Sequence, residues 1–172
     1  MKRKSDKIRG YLIKYAEKNI NTDLIIPARY LIDSDPDRLA IHCMEDLDPE
    51  FIKKKEELRA KIFVADSNFG CGSSREQAPI AIKAAGIECV LAPSFARIFF
   101  RNSINIGLAI IEFKEIDEIH TGDELEINFK TGVIKNLNST KEYAIQKMPF
   151  FLQELISAGG LVNYTRQNFL KK

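Results

Sequence analysis

The sequence predicts an α/β protein with a parallel centre and an antiparallel annex, and three observations carry that prediction. Two short runs, KIFVA at 61–65 and ECVLA at 88–92, are apolar after a charged first residue, and each is followed by a segment with helical apolar spacing. A third apolar run, at 108–111, closes the series. Beyond it the pattern changes to short alternating segments with turn residues between them. Strands buried on both faces read as continuous apolar runs, and strand–helix–strand repeats imply parallel pairing with right-handed crossovers.

The elements follow in order. Residues 8–15 alternate loosely and form a first strand, and 19–23 is a polar turn. The short apolar stretch 24–26 ends at Pro27. Asp35-Pro36 is a helix start, a carboxylate cap with proline at the first helical position. Leu39, Ala40, Cys43 and Met44 share its inner face. Asp48-Pro49 repeats the signal ahead of Phe51 and Ile52. After KIFVA, the residues Ala78, Ala81, Ile82 and Ala85 line one helical face and Gly86 stops it. Pro79 delays the regular helix beyond Arg75. Ser94 can cap the next helix, with Phe95, Ile98 and Phe99 inward. Residues 124–129, 133–137 and 142–146 form an antiparallel meander. Pro149 opens a last helix, with Leu152, Leu155 and Ile156 inward, and Gly159-Gly160 ends it.

Composition narrows the function classes. The chain has 172 residues, suited to one domain spanning 1–172. Net charge is +2, from 26 basic and 24 acidic residues, which asks for neither nucleic acid nor an anionic membrane. The basic start holds Lys2, Arg3, Lys4, Lys7 and Arg9, and a flexible solvated tail is expected over 1–7. An RNA-binding arm would interleave aromatics with the basic residues. No apolar run is long enough to span a bilayer and no signal-peptide core follows the basic start, so a cytoplasmic protein is expected. Cys43, Cys71 and Cys89 lie far apart without a C-x-x-C, so neither a disulfide framework nor a metal site built by this chain alone is expected.

The stretch FGCGSSRE, at 69–76, carries the chemistry. It follows a predicted strand and leads into a predicted helix, at the carboxyl end of the parallel strands where ligands bind. Gly70 and Gly72 permit positive φ and close approach of the backbone to a ligand. Free N–H groups at a helix start, the helix dipole, the hydroxyls of Ser73 and Ser74, and the planar fork of Arg75 together suit a carboxylate. The alternative is structural, a serine cap with a surface Arg75–Glu76 pair. The phosphate loops do not fit: there is no G-x-x-x-x-G-K-[ST], and Arg75 stands where the third glycine of G-x-G-x-x-G belongs. G-x-S-x-G is absent as well.

FGCGSSREQAP, then APSFARIFFRNSINIGLAII, with NTDLIIPARYL upstream, closely resembles the small subunits of 3-isopropylmalate dehydratase. These are the swivel domain of the aconitase superfamily as a separate chain. The resemblance runs over about residues 11–164. It implies a swivelling β/β/α fold and a large-subunit partner carrying a [4Fe–4S] cluster, which acts as a Lewis acid on the substrate. It implies a hydro-lyase that isomerises 2-isopropylmalate to 3-isopropylmalate in leucine biosynthesis, active only with that partner. By position, Ser73 matches the catalytic base, Arg75 the arginine that holds a substrate carboxylate, and Ser74 and Gly72 the neighbouring donors. Asp23 matches an acidic residue of the site wall. The loop with Arg29 and Ile32 matches the one that meets the variable arm of the substrate, and Arg29 either positions that loop or touches substrate. Homoaconitase-like relatives have an arginine where Ile32 stands. Ile32 suits an alkyl arm and disfavours a buried extra carboxylate. Isopropylmalate, dimethylmalate and methylmalate are not separated by this, because one methylene is worth only ~1–3 kcal/mol. A module that binds dicarboxylates without chemistry remains the alternative.

Overall fold

The computed structural model describes residues 7–169. Seven strands form one sheet in the order β4-β3-β2-β1-β5-β6-β7. The strands are β1 (Lys7–Tyr15), β2 (Ala60–Ala65), β3 (Cys89–Ala92), β4 (Ala109–Glu112), β5 (Glu124–Asn128), β6 (Val133–Asn136) and β7 (Glu142–Ala144). Pairings β1–β2, β2–β3 and β3–β4 are parallel. Pairings β1–β5, β5–β6 and β6–β7 are antiparallel. This is the mixed α/β class expected. β1 is the hinge between the two halves, which sequence order alone did not disclose.

Burial follows the sequence pattern. All four residues of β3 are buried, as a strand covered on both faces requires. β5 alternates, with Leu125 and Ile127 inward. Phe113, just beyond β4, meets Tyr143 of β7 edge to face at 5.3 Å. The sheet therefore curls until its two edge strands approach one another. Arg9 and Lys7 lie in β1 and pair with Glu124 and Glu126 across the antiparallel ladder. The expected tail over 1–7 is thus corrected at Lys7, which is strand, while residues 1–6 lie outside those described.

Seven α-helices punctuate the described residues: α1 (Thr22–Ile25), α2 (Pro36–Ile41), α3 (Phe51–Leu58), α4 (Gln77–Ala84), α5 (Arg97–Asn105), α6 (Phe150–Ala158) and α7 (Leu161–Phe169). α2 starts as predicted, with Asp35 accepting from Asp37 N–H at 3.0 Å. α4 begins at Gln77, past Arg75 as Pro79 required. Four expectations need correction. The apolar stretch 24–26 belongs in part to α1, a single turn capped by Asn21, whose side chain accepts from Leu24 N–H. Asp48-Pro49 stands in the turn just ahead of α3, whose N-cap is Glu50. Asp48 accepts from Glu50 N–H at 3.0 Å, and its other oxygen accepts from Tyr15 Oη and Lys54 Nζ, both at 2.6 Å. Ser94 does not cap α5; its hydroxyl accepts from Asn68 N–H at 2.9 Å. Gly159-Gly160 ends α6 but not the helices, because α7 follows at once.

An aromatic chain runs from the core to the site. Phe51 meets Phe63 at 5.9 Å, Phe63 meets Phe69 at 5.5 Å, and Phe69 meets Phe99 at 5.2 Å. Phe69 is fully buried. The glycine-rich turn is therefore rooted in the core by its first residue.

Candidate carboxylate site

The turn at 69–76 joins β2 to α4, and three neighbours hold it. Gly70 N–H donates to Ile20 C=O at 2.8 Å, and Thr22 N–H donates to Cys71 C=O at 2.9 Å. Thr22 Oγ1 donates to the Ser73 carbonyl at 2.9 Å. On the other side Phe69 N–H donates to Ser94 C=O and Ala96 N–H donates to Phe69 C=O. The turn is thus clamped between the segment before α1 and the segment before α5.

Both glycines are required. Gly70 has φ +74°, and a Cβ there would lie 2.2 Å from Phe99 Cγ. Gly72 has φ +92°, with Asn21 and Thr22 no closer than 3.5 Å to such a Cβ. Gly70 answers to packing and conformation, Gly72 to conformation alone.

From Gly72 the backbone turns its donors outward. Among the described residues, the N–H groups of residues 72–76 have no hydrogen-bond acceptor. The hydroxyls of Ser73 and Ser74 are exposed and likewise have no partner among the described residues. α4 carries no side-chain cap. The serine-cap alternative is therefore corrected, and so is its Arg75–Glu76 pair. Arg75 is ion-paired with Asp23 on α1, its side chain only 13% exposed. Asp23 stands beside the turn with its side chain about half exposed. Successive free N–H groups beside a guanidinium make an anion-binding concavity.

A cleft of about 290 Å³ opens at the turn. Gly72, Ser73, Ser74 and Arg75 form one wall. Arg97, Ile98 and Asn102 of α5 form the other. Ile98, expected in the core, is instead half exposed and lines this cleft. No carboxylate lines it. Sequence reasoning singled out neither Thr22, Arg97 nor Asn102, although all three stand inside the stretches that carried the resemblance.

Arg29 and Ile32 do not line the cleft. Arg29 lies in the 3-10 turn Ala28–Tyr30. Its guanidinium donates to Asp46 and Glu45, both at 2.6 Å, and lies 4.8 Å from the centre of the Tyr30 ring. Of the two roles open to it, the described geometry favours positioning the loop. Those carboxylates raise its pKa further, Asp46 most. Glu45 also takes His42 Nδ1 at 2.5 Å and Tyr30 Oη at 2.9 Å. These partners, His42 first and then Arg29, hold its carboxyl down at about 2. Ile32 is 98% exposed at the loop tip. Asp33 turns away from it, accepting from Asp35 N–H and pairing with Arg38. Gln77 Nε2 reaches Leu31 C=O at 3.5 Å, so the loop abuts the start of α4.

Cys43, Cys71 and Cys89 are free thiols, and burial pushes those of Cys43 and Cys89 well up. Among the described residues no group of three or more His, Cys, Asp or Glu side chains stands together to hold a metal. No helix among them is long and apolar enough to cross a membrane.

Comparison with known proteins agrees with this architecture. The aconitase C-terminal domain family matches residues 40–116. The 3-isopropylmalate dehydratase small subunit of Caldicellulosiruptor bescii is 54% identical over 164 residues, covering 95% of this chain and 97% of the relative. The 2,3-dimethylmalate dehydratase small subunit of Eubacterium barkeri is 54% identical over 159 residues, 92% of this chain and 96% of that one. The crystal structure of 3-isopropylmalate dehydratase from Methanocaldococcus jannaschii superposes with a TM-score of 0.86 at 46% identity, covering 95% and 96% of the two chains.

Proposed function

Because this chain belongs to the family of dehydratase small subunits in the aconitase superfamily, we propose that it supplies the base and the carboxylate site of an alkylmalate hydro-lyase. The favoured reaction is isomerisation of 2-isopropylmalate to 3-isopropylmalate by dehydration and rehydration. The observation that carries this reading is the row of unpartnered N–H groups at 72–76, with the free Ser73 hydroxyl among them and Arg75 beside it.

The turn performs two tasks. Its N–H groups and Arg75 hold a substrate carboxylate. Ser73, as alkoxide, takes the proton from the carbon that bears a carboxylate, while the hydroxyl leaves from the adjacent carbon and becomes water with a proton from a general acid, a role that would fall to the large-subunit partner. The alkene then accepts water in the opposite sense, and Ser73 returns the proton. Serine is a weak base unless its oxyanion is stabilised, and fixed N–H donors with a nearby cation do that without reorganisation. A [4Fe–4S] cluster on a large-subunit partner supplies the Lewis acid for the departing hydroxyl. Its placement on the partner rests on the family resemblance. Asp23 keeps Arg75 oriented, Ser74 adds a donor, and Gly72 lets the backbone approach the ligand.

One observation favours a second substrate. The dimethylmalate and isopropylmalate relatives are equally similar to this chain, at 54% identity. Ile32 supports an alkyl arm in either case.

The test is reconstitution with the large subunit under anaerobic conditions, following alkene absorbance with 2-isopropylmalate, 2,3-dimethylmalate and homocitrate. Turnover is expected with an alkylmalate and not with homocitrate. Ser73→Ala should abolish it while the two subunits still co-elute. Retained turnover would remove Ser73 as the base.

A further inference from the structure

We propose that Asn102 is a substrate-positioning residue, donating its amide to a carboxylate of the bound diacid from the α5 wall of the cleft. This rests on the reading above and adds a contact to it.

Asn102 is 9% exposed, on the buried side of α5. Its amide has no hydrogen-bond partner among the described residues. A buried amide without a partner is unfavourable, and asparagine is a mediocre helix former, so neither packing nor helix propensity accounts for it here. The sealed polar atoms that lack a partner are Ser103 Oγ and Tyr143 Oη. The Asn102 amide is not sealed in that way; it opens on the cleft that it lines.

The surroundings choose the ligand. Arg97, exposed at the rim, has no ion pair among the described residues, and Arg75 stands across the cleft. With the backbone N–H groups of the turn, these make walls of donors and positive charge. Asp23 pairs with Arg75 from beside the turn, and among the described residues no carboxylate lines the cleft itself. Asn102 therefore faces an acceptor-rich, anionic ligand with its NH₂ group. The two walls grip different parts of it, as a molecule with two carboxylates allows.

The test uses the assembled two-subunit enzyme and direct binding calorimetry, which does not require turnover. Three probes separate the carboxylates. 2-Isopropylsuccinate has both. 2-Hydroxy-4-methylpentanoate and 2-(hydroxymethyl)-3-methylbutanoate each lack a different one. Asn102→Ala should weaken 2-isopropylsuccinate roughly 10- to 100-fold, the worth of a hydrogen bond to a charged group. It should leave one monoacid unchanged, the one missing the carboxylate that Asn102 holds. Asn102→Asp keeps the shape, replaces donor by anion, and should weaken the diacid at least as much. Both variants should melt within a few degrees of wild type, since no side-chain hydrogen bond to protein is lost. Unchanged diacid binding, equal weakening of all three probes, or wild-type binding by Asn102→Asp would overturn the proposal. Absence of wild-type turnover with any alkylmalate would instead sink the hydro-lyase reading, and it is measured separately.

Discussion

Gly70 is where the site and the core depend on one another, and Gly70→Ala measures that dependence. Its φ of +74° places alanine in the left-handed region, which costs ~1–2 kcal/mol. The new methyl would also stand 2.2 Å from Phe99 Cγ and 2.6 Å from Phe99 Cβ. Phe99 is 3% exposed and packed edge to face against Phe69, so its ring cannot shift without cost. Forcing such a contact costs ~1–3 kcal/mol. The sum is ~2–5 kcal/mol, or about 4–20 °C in Tm for a chain of this length. Gly72→Ala is the control. Its φ is +92°, but its nearest neighbours are 3.5 Å away, so it bears only the conformational cost. That amounts to ~1–2 kcal/mol, or about 2–8 °C. Adding Phe99→Leu to Gly70→Ala relieves the overlap and should show a favourable coupling of ~1–3 kcal/mol. The same addition to Gly72→Ala should show none. Thermal unfolding followed by circular dichroism reads all of these. A Gly70→Ala protein that melts no lower than Gly72→Ala, or shows no coupling to Phe99, would refute the claim that α5 supports the turn.

Other perturbations separate positioning from chemistry. Thr22→Val removes the 2.9 Å bond to the Ser73 carbonyl. Stability should fall by only about 1 kcal/mol, while kcat of the assembled enzyme should drop roughly ten- to a hundredfold as Ser73 drifts; an unchanged kcat would show that the clamp is dispensable. Glu45 has a carboxyl held at about 2, below its ordinary 4.5, so its contribution is full above 4.5 and is lost as pH falls towards 2. Glu45→Gln should flatten the melting temperature across that window, and an unchanged acid profile would count against the Arg29–Glu45–His42 cluster as its source. Ile32→Arg, at a tip that is 98% exposed, should leave stability within about 0.5 kcal/mol. It should let the assembled enzyme accept homocitrate; if not, the tip does not reach the substrate arm.

Particular residues show what the sequence could disclose. KIFVA and ECVLA announced central strands because, after the charged residue at the start of each, burial on both faces leaves no polar position. Pro79 announced a late start for α4 because its ring cannot follow a regular turn. α7 stayed hidden because it follows the Gly159-Gly160 stop at once and none of its residues is fully buried. Ser94 misled because its oxygen can serve any nearby donor, and Asn68 N–H reaches it from elsewhere in the chain. At the site, the eight residues of the turn were legible as an anion cradle. What lay across the cleft was not, because α5 arrives there only through the crossover geometry of the sheet. Arg29 stayed ambiguous in sequence since its partners, Glu45 and Asp46, belong to a separate turn.

The electrostatics also explain why such a site would be divided between two chains. Here the donors are in place, but Ser73 is exposed to water. In water an alkoxide gains little from fixed N–H groups, because solvent competes for the same lone pairs and screens Arg75. Asp23 also shares the charge of Arg75. With a side chain about half exposed, Asp23 can yield part of the guanidinium fork to an arriving carboxylate at little cost. Covering the cleft with a second chain removes the competing water and strengthens each donor already aimed into it. On the function proposed above, the small chain needs no strong base of its own. It supplies an array of donors, rooted through Phe69 in the core, that would become effective when a partner closes over it.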